Sequence, residues 1–189
     1  MKQRLLAIAE AKAPGKAPTA SALDPRRRTV IVETQPAGET APADRVGKLR
    51  ASVVEEARGW LRTPYHHMGR VKGGGTDCLM LLAEVYERAG VVPHIDIPFY
   101  PPDRNLHRDV ERYLEGLMRY AREIEGPARQ GDVAVFKFGR CFAHGAIVVA
   151  WPRLIHAWWN AGVVYGDADQ LPLAGRQVRF FDPFSAPMF

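Results

Sequence analysis

Cysteine is scarce in this 189-residue chain: there are two, Cys78 and Cys141. Two thiols far apart in unlike contexts make no disulfide scaffold. Each needs another reason to be present, and packing as a small hydrophobe is the plain one. Paired metal-ligand spacings are missing as well, since the sequence holds no C-x-x-C and no H-x-x-x-H. A zinc site built from His66, His67 and the thiols is therefore not expected, nor is any cofactor. No apolar run approaches the ~18 residues that a membrane span requires, so no membrane insertion is expected. The opening apolar stretch, Leu5 to Ala9, is cut off by Glu10 and Lys12. A secretory leader needs about 7–15 apolar residues, so no signal peptide is read and synthesis in the cytoplasm is expected. Acidic residues are the minority, 21 against 26 basic, for a net charge of +5. That excess suits an anionic surface such as an acidic wall polymer. By the criteria for nucleic-acid binders it is too balanced for a nucleic-acid partner to be expected.

What is present falls into two parts. Residues 1–44 are rich in Ala, Pro, Lys and Thr, with the basic run Arg26-Arg27-Arg28 and one strand-like stretch at 29–32. So little apolar surface cannot offset ordering entropy, which predicts a basic arm that is flexible or ordered only against a partner. The remainder, 45–189, reads as one folded domain. Val46, Leu49, Val53, Ala57, Trp60 and Leu61 recur at helical spacing, predicting a helix over about 45–62 that stops at Pro64. A glycine-rich loop, 69–76, precedes a strongly apolar helix that opens at Cys78 and ends at Gly90. A Pro-rich loop covers 91–103, and Leu106, Val110, Tyr113, Leu114, Leu117 and Met118 predict a third helix over about 106–123. The period then changes to two, and strands are expected at 132–138, 146–150, 154–158, 163–166 and 177–181. Helices first and a small antiparallel sheet afterwards argue for an α+β domain.

Cys78 has the most informative context. A thiol that opens a helix faces unpaired backbone N–H groups and the positive end of the dipole, which favour the thiolate. The same N–H groups can hold an oxyanion. Thr76 or Asp77 can cap that helix, and the glycines through Gly75 let the backbone approach a substrate closely. The alternative is a buried packing thiol. A nucleophilic thiol needs a base, and the base an orienting partner. His144 stands at the entrance to one apolar strand and His156 within the next. Their even separation fits two imidazoles on one face of a hairpin, although either alone is better explained as a core residue. Cys141, in an expected loop, reads as structural. Tyr100, Trp158 and Trp159 read as groove walls or core, and His66 and His67 as lining the cleft. Arg70 and Lys72 flank the glycine loop and either bind substrate carboxylates or are merely solvated.

Five segments in order carry a resemblance. Thr63-Pro64-Tyr65, Gly74-Gly75-Thr76-Asp77-Cys78, 131–136, His144-Gly145-Ala146-Ile147-Val148 and Ile155-His156-Ala157 resemble the NlpC/p60 cell-wall peptidases over about residues 46–183. The resemblance implies a papain-like fold and a cysteine peptidase acting on peptidoglycan stem peptides, usually at the γ-D-glutamyl–diaminopimelate bond. It implies Cys78 as nucleophile, His144 as base and His156 as its orienting partner. Tyr65 would lie beside the oxyanion, and Asp77 would help hold the substrate. Leu79 departs from the family's usual Ser, which leaves the bond cleaved open. The Cys-Leu pair and the lack of a leader look more like members found among phage-tail and gene-transfer-agent genes. On that resemblance tail or baseplate proteins are expected partners, and the place of action is the periplasm or wall of a target cell. The alternatives are an inactive structural tail component of the same fold, or a thiol amidase or acyltransferase acting on another substrate.

Overall fold

A computed structural model describes residues 42–101 and 112–185, all within one unit, Thr40–Phe189. The expected arm therefore lies outside the described residues up to position 41, as do Leu106, His107 and Val110. Helix α1, Pro42–Gly59, opens on a proline, whose fixed φ suits the first helical position. Its buried stripe is Arg50, Val53, Val54 and Ala57, with Trp60 buried just beyond it. The helix stops three residues before the expected 62. Arg62 turns left-handed, at φ 70°, and its N–H goes to the carbonyl of Val163 instead of back along the helix.

Two short strands, β1 (Arg70–Val71) and β2 (Gly75–Thr76), pair antiparallel across the glycine turn, where an open loop was expected. Helix α2, Cys78–Arg88, follows at once, with Cys78 and Met80 through Tyr86 buried. It stops ahead of Gly90, at φ 71°, as the sequence predicts.

Of the third expected helix, over about 106–123, residues 112–123 are described: α3, Arg112–Leu117, is helical, and the chain then enters a strand, β3, Arg122–Ile124, where the end of that helix is expected. Helical periodicity loses here to an open sheet edge. β3 pairs with β8, Val178–Asp182, where its backbone groups find partners and Glu123 meets Arg179. The other strands are β4 (Val133–Phe138), β5 (Cys141–Ala150), β6 (Arg153–Trp158) and β7 (Gly162–Asp167). All pairings are antiparallel, in the order β3-β8-β4-β5-β6-β7. Strand β5 begins five residues earlier than expected. A tight turn at Gly139 (φ 64°) pairs Phe138 with Cys141, so Cys141 opens a strand and is buried rather than lying in a loop.

Alternation gives the sheet two buried faces. Val133, Val135, Ile147, Ile155, Ala157, Val163 and Phe181 pack with Val53, Ala57, Leu81, Leu82 and Val85 of the first two helices. On the other face Ala134, Phe136, Ala146, Val148 and Leu154 pack with Ala168 and Leu173. Arg50 ties α1 to the sheet, reaching Asp132 at 2.6 Å and Asp182 at 2.8 Å. No helix among the described residues is long and apolar enough to cross a membrane.

Candidate active site

Asp77, in extended backbone at φ −112° and ψ −178°, is the cap that lets α2 begin at Cys78. Its Oδ1 accepts the N–H groups of Leu79 and Met80, each at 3.0 Å. Thr76, the other capping candidate, instead donates its hydroxyl to the Asp77 carbonyl at 3.2 Å. The helix leads Cys78 to the sheet. The thiol is 4% exposed, and Sγ lies 4.0 Å from the carbonyl oxygen of Ala143 in β5. The next residue is His144.

Strands β5 and β6 are neighbours, and they carry His144 and His156 to one place. His144 Nε2 and His156 Nδ1 are 2.7 Å apart, with the rings edge to face at 5.0 Å. Trp158 stands edge-on to His144 at 5.2 Å and tilted against His156 at 5.8 Å. Phe138 closes a further side of His144 at 5.4 Å. This aromatic wall leaves His144 6% and His156 3% exposed. Burial alone pushes the His156 imidazole down to about 4 from its ordinary 6.5, because a desolvated ring resists protonation. His156 is thus neutral at neutral pH, a form in which one ring nitrogen donates and the other accepts. Strand β7 passes so close that a Cβ on Gly166 would stand 2.7 Å from His156 Nε2.

The segment before Cys78 closes another side. Tyr65 forms a parallel bridge with Thr76, and the His66 N–H reaches the Thr76 carbonyl at 2.9 Å. Gly75 is required for that approach, since a Cβ there would lie 2.6 Å from the His66 Cβ. A cavity of about 700 Å³ opens alongside, with Leu79, Ala143 and Tyr100 in its lining.

Two residues that the sequence offers for substrate binding are bonded within the chain. Asp77 is fully buried, and both of its carboxylate oxygens accept hydrogen bonds from this chain. Besides the two capping bonds, Oδ2 accepts from Met68 N at 2.9 Å and the Tyr100 hydroxyl at 2.6 Å. Arg70 is likewise committed. Its guanidinium bonds Glu84 at 2.7 Å, Glu87 at 2.8 Å and the Ile95 carbonyl at 2.9 Å, which fixes the glycine hairpin to α2 and to the following loop. Tyr100, read from sequence as groove wall or core, and His67, read as lining the cleft, both meet Asp77, the cap of the helix that Cys78 opens. No local pattern signals that Tyr100 meets Asp77, 23 positions away.

No protein-family model matches this chain, and no curated protein matches it in sequence. Solved structures do match in shape. The NlpC/p60 domain of the peptidoglycan hydrolase SagA superposes with a TM-score of 0.50 at 22% identity, covering 69% of this chain and 96% of that one. An NlpC/p60 family protein from Bacillus cereus gives 0.50 at 18% identity over 69% of this chain, which spans 39% of that protein's length. The peptidoglycan hydrolase RipB of Mycobacterium tuberculosis gives 0.50 at 16% identity, covering 76% of this chain and 68% of that one. With helices carrying the cysteine and an antiparallel sheet carrying both histidines, the chain has the papain-like α+β fold of NlpC/p60 domains.

Proposed function

We propose that this chain is a cysteine peptidase that hydrolyses peptidoglycan stem peptides. The observation that carries the reading is the 2.7 Å contact between His144 and His156, one residue beyond the carbonyl against which the Cys78 sulfur lies. In the reaction His144 donates its Nε2–H to Nδ1 of neutral His156, and its own Nδ1 takes the thiol proton. The thiolate, at the N-terminus of α2, attacks the scissile carbonyl. The Cys78 amide and the Tyr65 hydroxyl stabilise the oxyanion. His144 then protonates the leaving amine, and water releases the acyl group from Cys78.

The substrate class is supported by likeness of fold to two peptidoglycan hydrolases and by a net charge of +5 that suits an anionic polymer. We assign the cut to the γ-D-glutamyl–diaminopimelate bond. We further propose that the protein rides in the tail of a phage-like particle and acts at the target cell wall, with tail or baseplate proteins as partners. That placement is supported by Leu79 standing after the nucleophile. Digestion of purified Gram-negative peptidoglycan, with products read by mass spectrometry, tests the assignment. Fragments ending in free D-glutamate and bearing a free diaminopimelate amine are expected. A different new terminus would reassign the bond, and no fragments from folded protein would remove peptidoglycan as substrate. Co-sedimentation with purified particles tests the tail placement, and absence from them would overturn it.

A further inference from the structure

Asp77 poses an electrostatic problem that the proposed chemistry has to solve. Its carboxylate is fully buried and immediately precedes Cys78. A negative charge so close to a thiol opposes the thiolate, against the helix N-terminus that favours it. Four of its partners are neutral donors: the N–H groups of Leu79, Met80 and Met68, and the Tyr100 hydroxyl. They spread the charge without cancelling it. The fifth is His67, whose Nδ1 stands 3.3 Å from Oδ2. Among the described residues it is the one partner of Asp77 that can carry a positive charge.

Two acceptors flank the His67 ring. Nε2 lies 2.7 Å from the carbonyl oxygen of Tyr100, which can only accept, so Nε2 bears a hydrogen. Nδ1 stands at ion-pair distance from Oδ2 of Asp77, the place from which a protonated ring would meet the carboxylate. The Tyr100 ring meets His67 edge to face at 4.9 Å, and the Tyr100 hydroxyl goes to the same Asp77 oxygen. The adjacent His66 bonds the His67 carbonyl rather than its ring. Among the described residues Asp77 and Tyr100 are thus the titratable groups facing the His67 ring. Met68, held at φ 58°, gives its N–H to Asp77 and keeps the His67 segment against the cap.

We propose that His67 is a positioning residue for Cys78: its imidazolium neutralises Asp77, so that the carboxylate can cap the nucleophile's helix without opposing the thiolate. This rests on the thiol-hydrolase reading, and its test reads the thiol itself rather than wall digestion. In a Cys141→Ala background the rate at which iodoacetamide alkylates Cys78, with iodide leaving, is measured from pH 5 to 10. His67→Gln is expected to move the midpoint of that profile upward by about one pH unit. Alkylation would then be about tenfold slower below the midpoint and unchanged on the alkaline plateau. His67→Arg, which restores a cation, is expected to return the midpoint towards that of the parent. Superimposable profiles for His67→Gln and its parent would overturn the proposal and leave Cys78 a competent nucleophile. So would a shift that His67→Arg does not reverse. A Cys78 that no pH makes reactive in the folded parent would overturn both this proposal and the thiol-hydrolase reading.

Discussion

The bond between two imidazoles sets the roles at the site. His156 is neutral because burial holds its imidazole down at about 4, so it can accept from His144, and in the proposed mechanism that bond orients the His144 ring for the thiol proton. His156→Ala should therefore lower kcat by about 10²–10⁴-fold, comparable to losing the orienting member of a serine-protease triad. His156→Gln, which keeps an acceptor, should lose less; equal losses would contradict an orienting role. The same burial makes the fold acid-sensitive. With a folded value near 4 against 6.5 unfolded, the unfolded chain binds more protons between those limits, so stability rises with pH. The contribution is full above about pH 6.5 and is lost as pH falls towards 4, a difference of about 3 kcal/mol. Urea unfolding from pH 7.5 to 5 should show a steeper loss in the wild type than in His156→Asn; parallel curves would contradict the burial argument.

At the scale of elements, close approaches at glycine keep the layers together. A Cβ on Gly145 would stand 2.0 Å from the Tyr113 hydroxyl and 2.7 Å from Leu82. Gly145→Ala must therefore displace the buried Tyr113 and Leu82 side chains that close on β5 from α3 and α2. A cost of about 1–3 kcal/mol is expected, read as a fall in Tm, and an unchanged Tm would show that the helices yield freely. Most elements were legible in the sequence. Strands β4, β6, β7 and β8 fall within one residue of their expected limits, because each is a short, largely apolar run bounded by turn residues. The start of β5 was hidden by Phe142-Ala143-His144-Gly145, whose alternation is broken by the register shift opposite Phe136 and Lys137. Strand β3 was hidden because Arg122-Glu123-Ile124 carries no strand pattern of its own; an open edge on β8 recruits it.

Across the molecule the same divide separates what sequence discloses from what it hides. The order of cysteine and two histidines could be read, since helix opening and even strand spacing are local signals. The ties between distant segments could not: His67 and Tyr100 to Asp77, Arg70 to Glu84 and Glu87, and Arg50 to Asp132 and Asp182. These side chains meet only once the layers have assembled. The last of them spans the domain, holding α1 to β4 and β8 through an arginine that is 8% exposed. Arg50→Met would leave two buried carboxylates with Arg129, itself 59% exposed, as their remaining ion partner among the described residues, at a cost of about 3 kcal/mol. Denaturant unfolding should show it, and a loss below about 1 kcal/mol would mean that water replaces the guanidinium.

The central claim is that Cys78 forms the covalent bond to substrate. Its most direct test compares turnover of purified peptidoglycan by wild type and by Cys78→Ala, with circular dichroism to establish that both are folded. The account predicts a loss on the order of 10⁶ in rate for the folded variant, and retained turnover by Cys78→Ala would contradict it.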